Sequence, residues 1–233
     1  MHNLNQYIAR ISDVSLREKT RTLLTDTTFV LGDTEYIGLS LHEAPASRYW
    51  HHGYVGGLLQ HTIAAAEIAL TLCRNVKEIY SGQVNEDVVL ASILLHDLFK
   101  IHVYAINGSS HRFSQLGTRL DHLTLLVSEL TRRDFPLDVI HAVAAHHGQN
   151  GPISPHSLEA LICYVADNAD ASFNGQLLKA AQRLANPNER KKGSPLTSTQ
   201  ALQIIKAAQN GTMNGRKTPR DQDEESNNSG DPR

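Results

Sequence analysis

Apolar residues recur at helical spacing along most of this chain. Leu4, Ile8, Ile11, Leu16, Leu23 and Leu24 predict one or two amphipathic helices over 4–25. Residues 26–50 carry Gly32, Gly38, Pro45 and several threonines, which predicts a loop or a short extended segment. A helix is expected over 57–76, with Leu58, Ala65, Ile68, Ala69 and Leu72 on its apolar face, and a second over 85–103, with Glu86 and Asp87 favourable in its first turn. Asn107, Gly108, Ser109 and Ser110 read as a turn. Further helices are expected over 116–133, 136–147, 156–173, 175–185 and 197–209. Pro136 suits the first helical position and Gly148 a left-handed C-terminal stop, while the Ser/Thr cluster after Pro195 offers a cap for the last helix. The pattern is that of an all-α bundle without internal repeats. It divides into an N-terminal extension over 1–44, a main domain over 45–209 and a polar tail over 210–233. The tail, with Met213 as its lone hydrophobic residue, buries too little apolar surface to offset its ordering entropy and is expected to be disordered.

Hydrophobic residues make up 40% of the 233 residues, enough for a core. The two cysteines, Cys73 and Cys163, sit in apolar helical stretches and read as buried reduced thiols; no Cys-x-x-Cys pair suggests a zinc ribbon. No apolar run is long enough to span a bilayer and residues 1–10 lack a signal-peptide core, so a soluble cytoplasmic protein is expected. A net charge of −2 gives no global electrostatic footprint for nucleic acid. A local one remains open: the run Glu189, Arg190, Lys191, Lys192 is either a solvated loop or a phosphate contact.

Histidine changes the picture. There are 13, spread along the chain rather than in a tag. His61, the pair His96-Asp97, His122, the pair His146-His147 and Asp167 fall 20 to 35 residues apart, which suits one or two ligands per helix. Imidazole with carboxylate suits a first-row transition metal rather than calcium or a thiolate-bound zinc. These groups exceed one tetrahedral shell and match two ions sharing a carboxylate, which points to metal-assisted hydrolysis. Each has a plainer alternative. His96-Asp97 could lie on a solvated face, although the flanking Leu94, Leu95, Leu98 and Phe99 make an unpartnered carboxylate there costly. Lys100, one turn after the pair, could reach a phosphoryl oxygen or merely bridge to Asp97. His61 could be a core histidine, His122 a capping one, and His146 and His147 cations favoured at a helix end. Asp170, one turn after Asp167, could face the same cavity as a substrate-binding residue, but reads more naturally as a residue that supports a ligand from behind or pairs with Lys or Arg. His51, His52 and Tyr54, with Tyr49 and Trp50, form the densest aromatic patch of the chain; it could be core, or a substrate-binding wall that stacks on a base. His2, His42, His102, His111, His141 and His156 read as ordinary histidines.

The order His61, His96-Asp97, Asp167 resembles the ligand set of the HD-domain metal-dependent phosphohydrolase superfamily, and His122, His146 and His147 resemble its dinuclear branch. The stretches 51–62, 145–148 and 164–171 are similar to the HD domain of YhaM-type 3′-5′ exoribonucleases. The resemblance covers roughly 45–175; Phe99 stands where the family usually has glycine, and the barrel that those exoribonucleases carry is not matched by the helical first 50 residues. The resemblance implies an HD-domain helical bundle with the metal site between helices. It implies one ion on His61, His96, Asp97 and Asp167, and a second on Asp97, His122, His146 and His147. Mn is the expected metal, with Fe, Co, Ni or Zn as alternatives. Asp97 and Lys100 are the expected catalytic pair. The expected activity is a phosphodiesterase on single-stranded RNA or DNA ends or short oligonucleotides, a 3′-5′ exonuclease. The alternatives are a phosphohydrolase of nucleotides or cyclic nucleotides and, last, a metal-binding regulator without turnover.

Overall fold

The computed structural model describes residues 3–108, 110–185 and 195–211. His2, the basic run 189–192 and Met213 with the rest of the tail beyond 211 lie outside the described residues. The helices are α1 (Leu4–Ile8), α2 (Val14–Thr25), α3 (Gly57–Glu78), α4 (Glu86–Leu95), α5 (Lys100–Val103), α6 (His122–Arg132), α7 (Leu137–Ala144), α8 (Leu158–Leu184) and α9 (Ser198–Gln209). Two hairpins interrupt them: β1 (Thr28–Leu31) with β2 (Thr34–Ile37), and β3 (Tyr104–Asn107) with β4 (Ser110–Phe113).

α4 is the axis of the bundle. Every residue from Val88 to Leu95 is buried, so the helix is apolar all round and needs neighbours on all sides. α2, α3, α7 and α8 supply them. α3 presents Ala65, Ala66 and Ala69 to the core, small residues that let α4 and α8 approach closely. Asn85 caps α4. Asp87 in its first turn accepts from the backbone of Ser12 (2.9 Å) and Asp13 (2.8 Å), which ties the α1–α2 turn to the axis. Residues of the N-terminal extension, Tyr7, Ile11, Leu23 and Phe29 among them, join the same core. A second, smaller core forms where α9 packs on the latter half of α8, around Leu178, Ala181 and Ala201. Cys73 and Cys163 are buried free thiols, as expected, and burial pushes both thiol pKa values up, Cys73 to about 11.

Several expected boundaries move. The segment 26–50 contains β1 and β2, joined through Gly32 at φ +60°, and the turn at 107–110 closes a second hairpin through Gly108 at φ +61°. Part of the signal was present: Asn107 pairs with Ser110, so Gly108 takes the first of the two connecting positions, where glycine favours a hairpin. The helix expected over 116–133 begins only at His122, capped by Asp121, whose carboxylate accepts from Thr124 N (2.8 Å). Pro136 is the N-cap of α7 rather than its first residue. The helices expected over 156–173 and 175–185 are one, α8, running through Gly175. The helix expected over 85–103 ends at Leu95. There the bonding tightens to i→i−3, with Leu98 N to Leu95 O (2.8 Å), Lys100 N to Asp97 O (3.0 Å) and His102 N to Phe99 O (3.0 Å).

His102 is buried among the rings of Phe29 and Phe99, and neither of its ring nitrogens has a hydrogen-bond partner. Burial pushes its pKa down from 6.5 to about 4, against the opposing pull of Asp26 and Glu129. The unfolded chain therefore takes up a proton here below pH 6.5 that the folded chain refuses until about pH 4. The contribution to stability is complete above that window and is lost as the pH falls through it, by about 3 kcal/mol at most. Denaturant unfolding of His102→Leu against the wild type, from neutral pH to about pH 4, should show a correspondingly shallower loss in the variant. Parallel curves would refute this account of the site.

Candidate metal centre

The sequence places His61 on α3, His96-Asp97 just beyond α4, His122 at the start of α6, His146-His147 just beyond α7 and Asp167 and Asp170 on α8. The fold brings all of them to one buried point. His61, His96, Asp97 and Asp167 offer ligand atoms within 4.8 Å of one another, and so do Asp97, His122, His146 and His147.

Adjacent residues on a regular α-helix point apart, yet both pairs converge. The reason is the same at each. After α4 and after α7 the backbone tightens into i→i−3 turns; beyond α7 these are His146 N to Val143 O (3.4 Å) and Gly148 N to Ala145 O (2.8 Å). Gly148 has φ +58°, and a Cβ there would lie 2.4 Å from the ring of Tyr164, so the turn needs glycine on both counts.

Asp97 stands between the two groups. Its Oδ2 lies 3.5 Å from His61 Nε2, 3.4 Å from His96 Nε2 and 2.5 Å from Lys100 Nζ. Its Oδ1 lies 3.2 Å from His122 Nε2 and 3.7 Å from His146 Nε2. Asp167 Oδ1 lies 3.0 Å from His61 Nε2 and 3.6 Å from His96 Nε2. The outer nitrogens are fixed by acceptors. His96 Nδ1 donates to Ile93 O (2.7 Å) and His146 Nδ1 to Val143 O (2.7 Å). His61 Nδ1 faces Asp170 Oδ2 at 2.6 Å. A carbonyl only accepts, so the neutral imidazoles of His96 and His146 carry their hydrogen on Nδ1 and turn a lone pair inward.

That convergence is the test of fit for a cation. His61 Nε2 and His96 Nε2 are 3.2 Å apart. Asp97 Oδ1, His122 Nε2 and His146 Nε2 are buried without a hydrogen-bond partner. Lone pairs and carboxylates facing one another in a dry site repel unless positive charge lies among them. The titration behaviour carries the same message. Burial would lower the pKa of His61, but Asp167, Asp170 and Asp97 outweigh it and hold the pKa well above 6.5. His96 is likewise raised to about 9, against burial, by Asp97 and Asp167. Burial would raise Asp97 and Asp167, yet both are held well below the carboxylate range, Asp97 chiefly by Lys100 and His96, Asp167 by His61 and His96. His146 is pushed well down by burial and by His96. The carboxylates that favour positive charge on these imidazoles would equally favour a divalent cation among them, and the donor set suits such an ion.

A cleft of about 250 Å³ opens onto this point, with Asp97, Lys100, His146, His147 and Asp167 in its wall and Trp50, Tyr164 and Asn168 around them. The aromatic patch divides. His51 lines the cleft, its ring 4.9 Å from that of His61, whereas His52 is buried with its backbone N–H on Asn174 Oδ1 (2.8 Å) and Nδ1 3.6 Å from Asp170. Tyr54 does not line the cleft; its hydroxyl is engaged by Gln60 and Ser198. Asp170 also faces inward, onto His61, instead of the cleft, which places it behind an imidazole and not at the substrate-binding position that was the other expectation for it. Trp50 and Tyr164 were visible as aromatic residues beside the motifs, but only the small residues against which they pack, Gly175 and Gly148, show why they stand at the cleft.

Comparison with known proteins gives three findings. The family model described as HD domain matches residues 58–172. The dihydroneopterin 2′,3′-cyclic phosphate phosphodiesterase of Methanocaldococcus jannaschii is 40% identical over 184 residues, 78% of this chain and 73% of that protein. The 3′-5′ exoribonuclease YhaM of Bacillus subtilis is 26% identical over 201 residues and that of Listeria monocytogenes (strain CLIP80459) 28% identical over 183, this chain spanning 58% and 53% of their lengths. No solved structure matches.

Proposed function

This chain belongs to the HD-domain family of metal-dependent phosphohydrolases, and from that premise we propose that it is a phosphodiesterase whose substrate is a small cyclic phosphate diester on a polyol that bears a heterocycle. The observation that carries the reading is a buried, cation-seeking His/Asp cluster open to a small cleft, in a chain 40% identical to a cyclic phosphate phosphodiesterase over most of both lengths.

In this reading one divalent ion is held by His61, His96, Asp97 and Asp167 and a second by Asp97, His122, His146 and His147, with Mn as the metal. Such ions would supply Lewis-acid polarisation of the phosphoryl group and an acidified water as nucleophile. The chain does the rest. The carbonyls of Ile93 and Val143 and the Asp170 carboxylate hold three imidazoles in one tautomer and orientation, so no reorganisation is needed during the reaction. The two oxygens of Asp97 face different halves of the cluster and fix their separation. Lys100 lines the cleft beside Asp97, where its ammonium offsets charge gathering on the phosphoryl oxygens. Leu94, Leu95, Leu98 and Phe99, buried on either side of the His96-Asp97 pair in sequence, limit the screening of these groups by water. Cys73 and Cys163 are buried in the core, and no thiol nucleophile is invoked.

A second reading, 3′-5′ exonuclease action on single-stranded RNA or DNA, draws on the similarity to the YhaM exoribonucleases. The Mn-loaded protein should be offered adenosine 2′,3′-cyclic phosphate, glycerol 1,2-cyclic phosphate and end-labelled single-stranded RNA and DNA. Opening of the cyclic diesters with intact oligonucleotides is the expected result. A ladder receding from the 3′ end would establish the exonuclease instead, and inertness towards every diester would remove both. Among the described residues no helix is long and apolar enough to cross a membrane.

A further inference from the structure

Trp50 is half exposed, at 50%, and stands in the wall of the cleft with Asp97, Lys100 and Asp167. A half-exposed aromatic ring is ordinary on a protein surface; what sets this one apart is its place in the wall of a charged cleft. It is also held firmly. Ser47 Oγ accepts from the backbone N–H groups of Trp50 (3.0 Å) and His51 (3.1 Å). The next residue, His52, has φ 44° and is anchored through its N–H to Asn174 on α8. The indole meets the ring of His51 edge-on, 5.2 Å between centroids at 88°. It rests against Gly175, where a Cβ would lie 2.7 Å from the indole nitrogen. A glycine in the middle of a long helix is destabilising, and here it makes room for this ring.

We infer that Trp50 is a specificity-determining residue that stacks on the flat heterocycle of the substrate while its phosphate lies at the metal cluster. The inference rests on the phosphodiesterase reading and names the part of the substrate that this reading leaves open. A rigid ring stacks at little entropic cost, because its own freedom has already been lost on folding. Stacking is indifferent to the hydrogen-bonding edge, so a purine or a pterin fits and a bare sugar or glycerol does not.

Trp50 is the one tryptophan of the chain, so its fluorescence reports on the contact directly. The metal-loaded protein is titrated with adenosine 2′-monophosphate, ribose 5-phosphate and inorganic phosphate, with excitation at the red edge of the indole band. The expected result is saturable quenching by the nucleotide alone. In parallel, kcat/KM is measured on adenosine 2′,3′-cyclic phosphate and on glycerol 1,2-cyclic phosphate, which shares the reacting ring and lacks the heterocycle. Trp50→Ala should lose roughly five- to 150-fold on the adenosine substrate, through KM, the range to which about 1–3 kcal/mol of stacking converts. It should leave the glycerol substrate within about twofold, and Trp50→Phe should recover most of the loss. Equal losses on both substrates would make Trp50 a structural residue and overturn the inference, as would quenching equal for all three ligands or absent. If the wild type opened neither diester, the phosphodiesterase reading would fail, and the titration would still decide whether the ring meets a base.

Discussion

Replacing Asp97 with Asn is expected to remove turnover and metal together. One positioned charge in a dry active site is worth about 10²–10³ in kcat, and Asp97 serves both halves of the cluster at once, with Oδ2 towards His61 and His96 and Oδ1 towards His122 and His146. A loss of at least about a thousand-fold follows. The shape is conserved, so the effect is one of charge. Lys100 also loses its anion at 2.5 Å in a buried place, and stranding such a charge costs about 3–5 kcal/mol before relaxation. The measurements are divalent metal per chain after dialysis, turnover on the cyclic diester and thermal unfolding without metal. A variant that keeps its full metal content and activity would show that the cluster is not the catalytic centre.

The second large effect involves no polar atom. Gly57→Ala at the start of α3 would set its Cβ 1.9 Å from the carbonyl oxygen of His52 and 2.8 Å from its carbonyl carbon. The obstacle is backbone, so no rotamer relieves it. The backbone cannot yield cheaply, because His52 O accepts from Ala46 N (3.1 Å) and His52 N donates to Asn174. Either the 46–57 loop or the first turn of α3 must move, and His61 lies one turn further along that helix. Overpacking of this kind typically costs 1–3 kcal/mol and occasionally more; with both partners pinned, about 3 kcal/mol or more is expected, with weakened metal retention. Gly32→Ala is the control: it carries the strain of a positive φ, +60°, which Gly57 does not have, but meets nothing within 4 Å, so about 1 kcal/mol is expected there. Chemical denaturation of both variants decides it. A Gly57→Ala protein as stable as Gly32→Ala would mean that the loop is softer than its hydrogen bonds suggest.

The residues gathered at the cluster were legible in the sequence because chemistry announces them: a His-Asp pair inside Leu94, Leu95, Leu98 and Phe99 has to be partnered. What was not legible is how neighbours in sequence come to face the same way. Periodicity over 85–103 predicts an unbroken helix, since the apolar pattern continues through 96–99, and only the tertiary demand to aim both His96 and Asp97 inward selects the tighter turns. The same applies to Asn174-Gly175. As a dipeptide it marks a helix break; in the fold Asn174 accepts from His52 N and donates to Ser198, and Gly175 receives Trp50, so packing overrides propensity. The hairpins were only partly legible: 26–50 reads as a loop or short extended segment and 107–110 as a turn, but four-residue strands carry too little alternation to be placed. Asp170 was read from its spacing to Asp167 as a residue supporting a ligand, but spacing could not say that the ligand behind which it stands is His61.

Along α8, Tyr164, Asp167, Ala171 and Asn174 succeed one another at three- and four-residue steps, and Gly175 follows Asn174 directly. They supply, in order, a cleft wall, a carboxylate of the cluster, more cleft wall, the anchor of the 46–57 loop and the seat of Trp50. One uninterrupted helix is therefore a ruler on which separate parts of the site are marked off. A residue inserted or deleted between 164 and 175 would rotate everything beyond it by about 100°, parting the loop anchor from the carboxylate although each side chain was still present. Substitutions elsewhere on this helix can accumulate one at a time, but its length over that stretch cannot drift. Related chains that share this site should differ in length in their loops and keep this stretch without gaps.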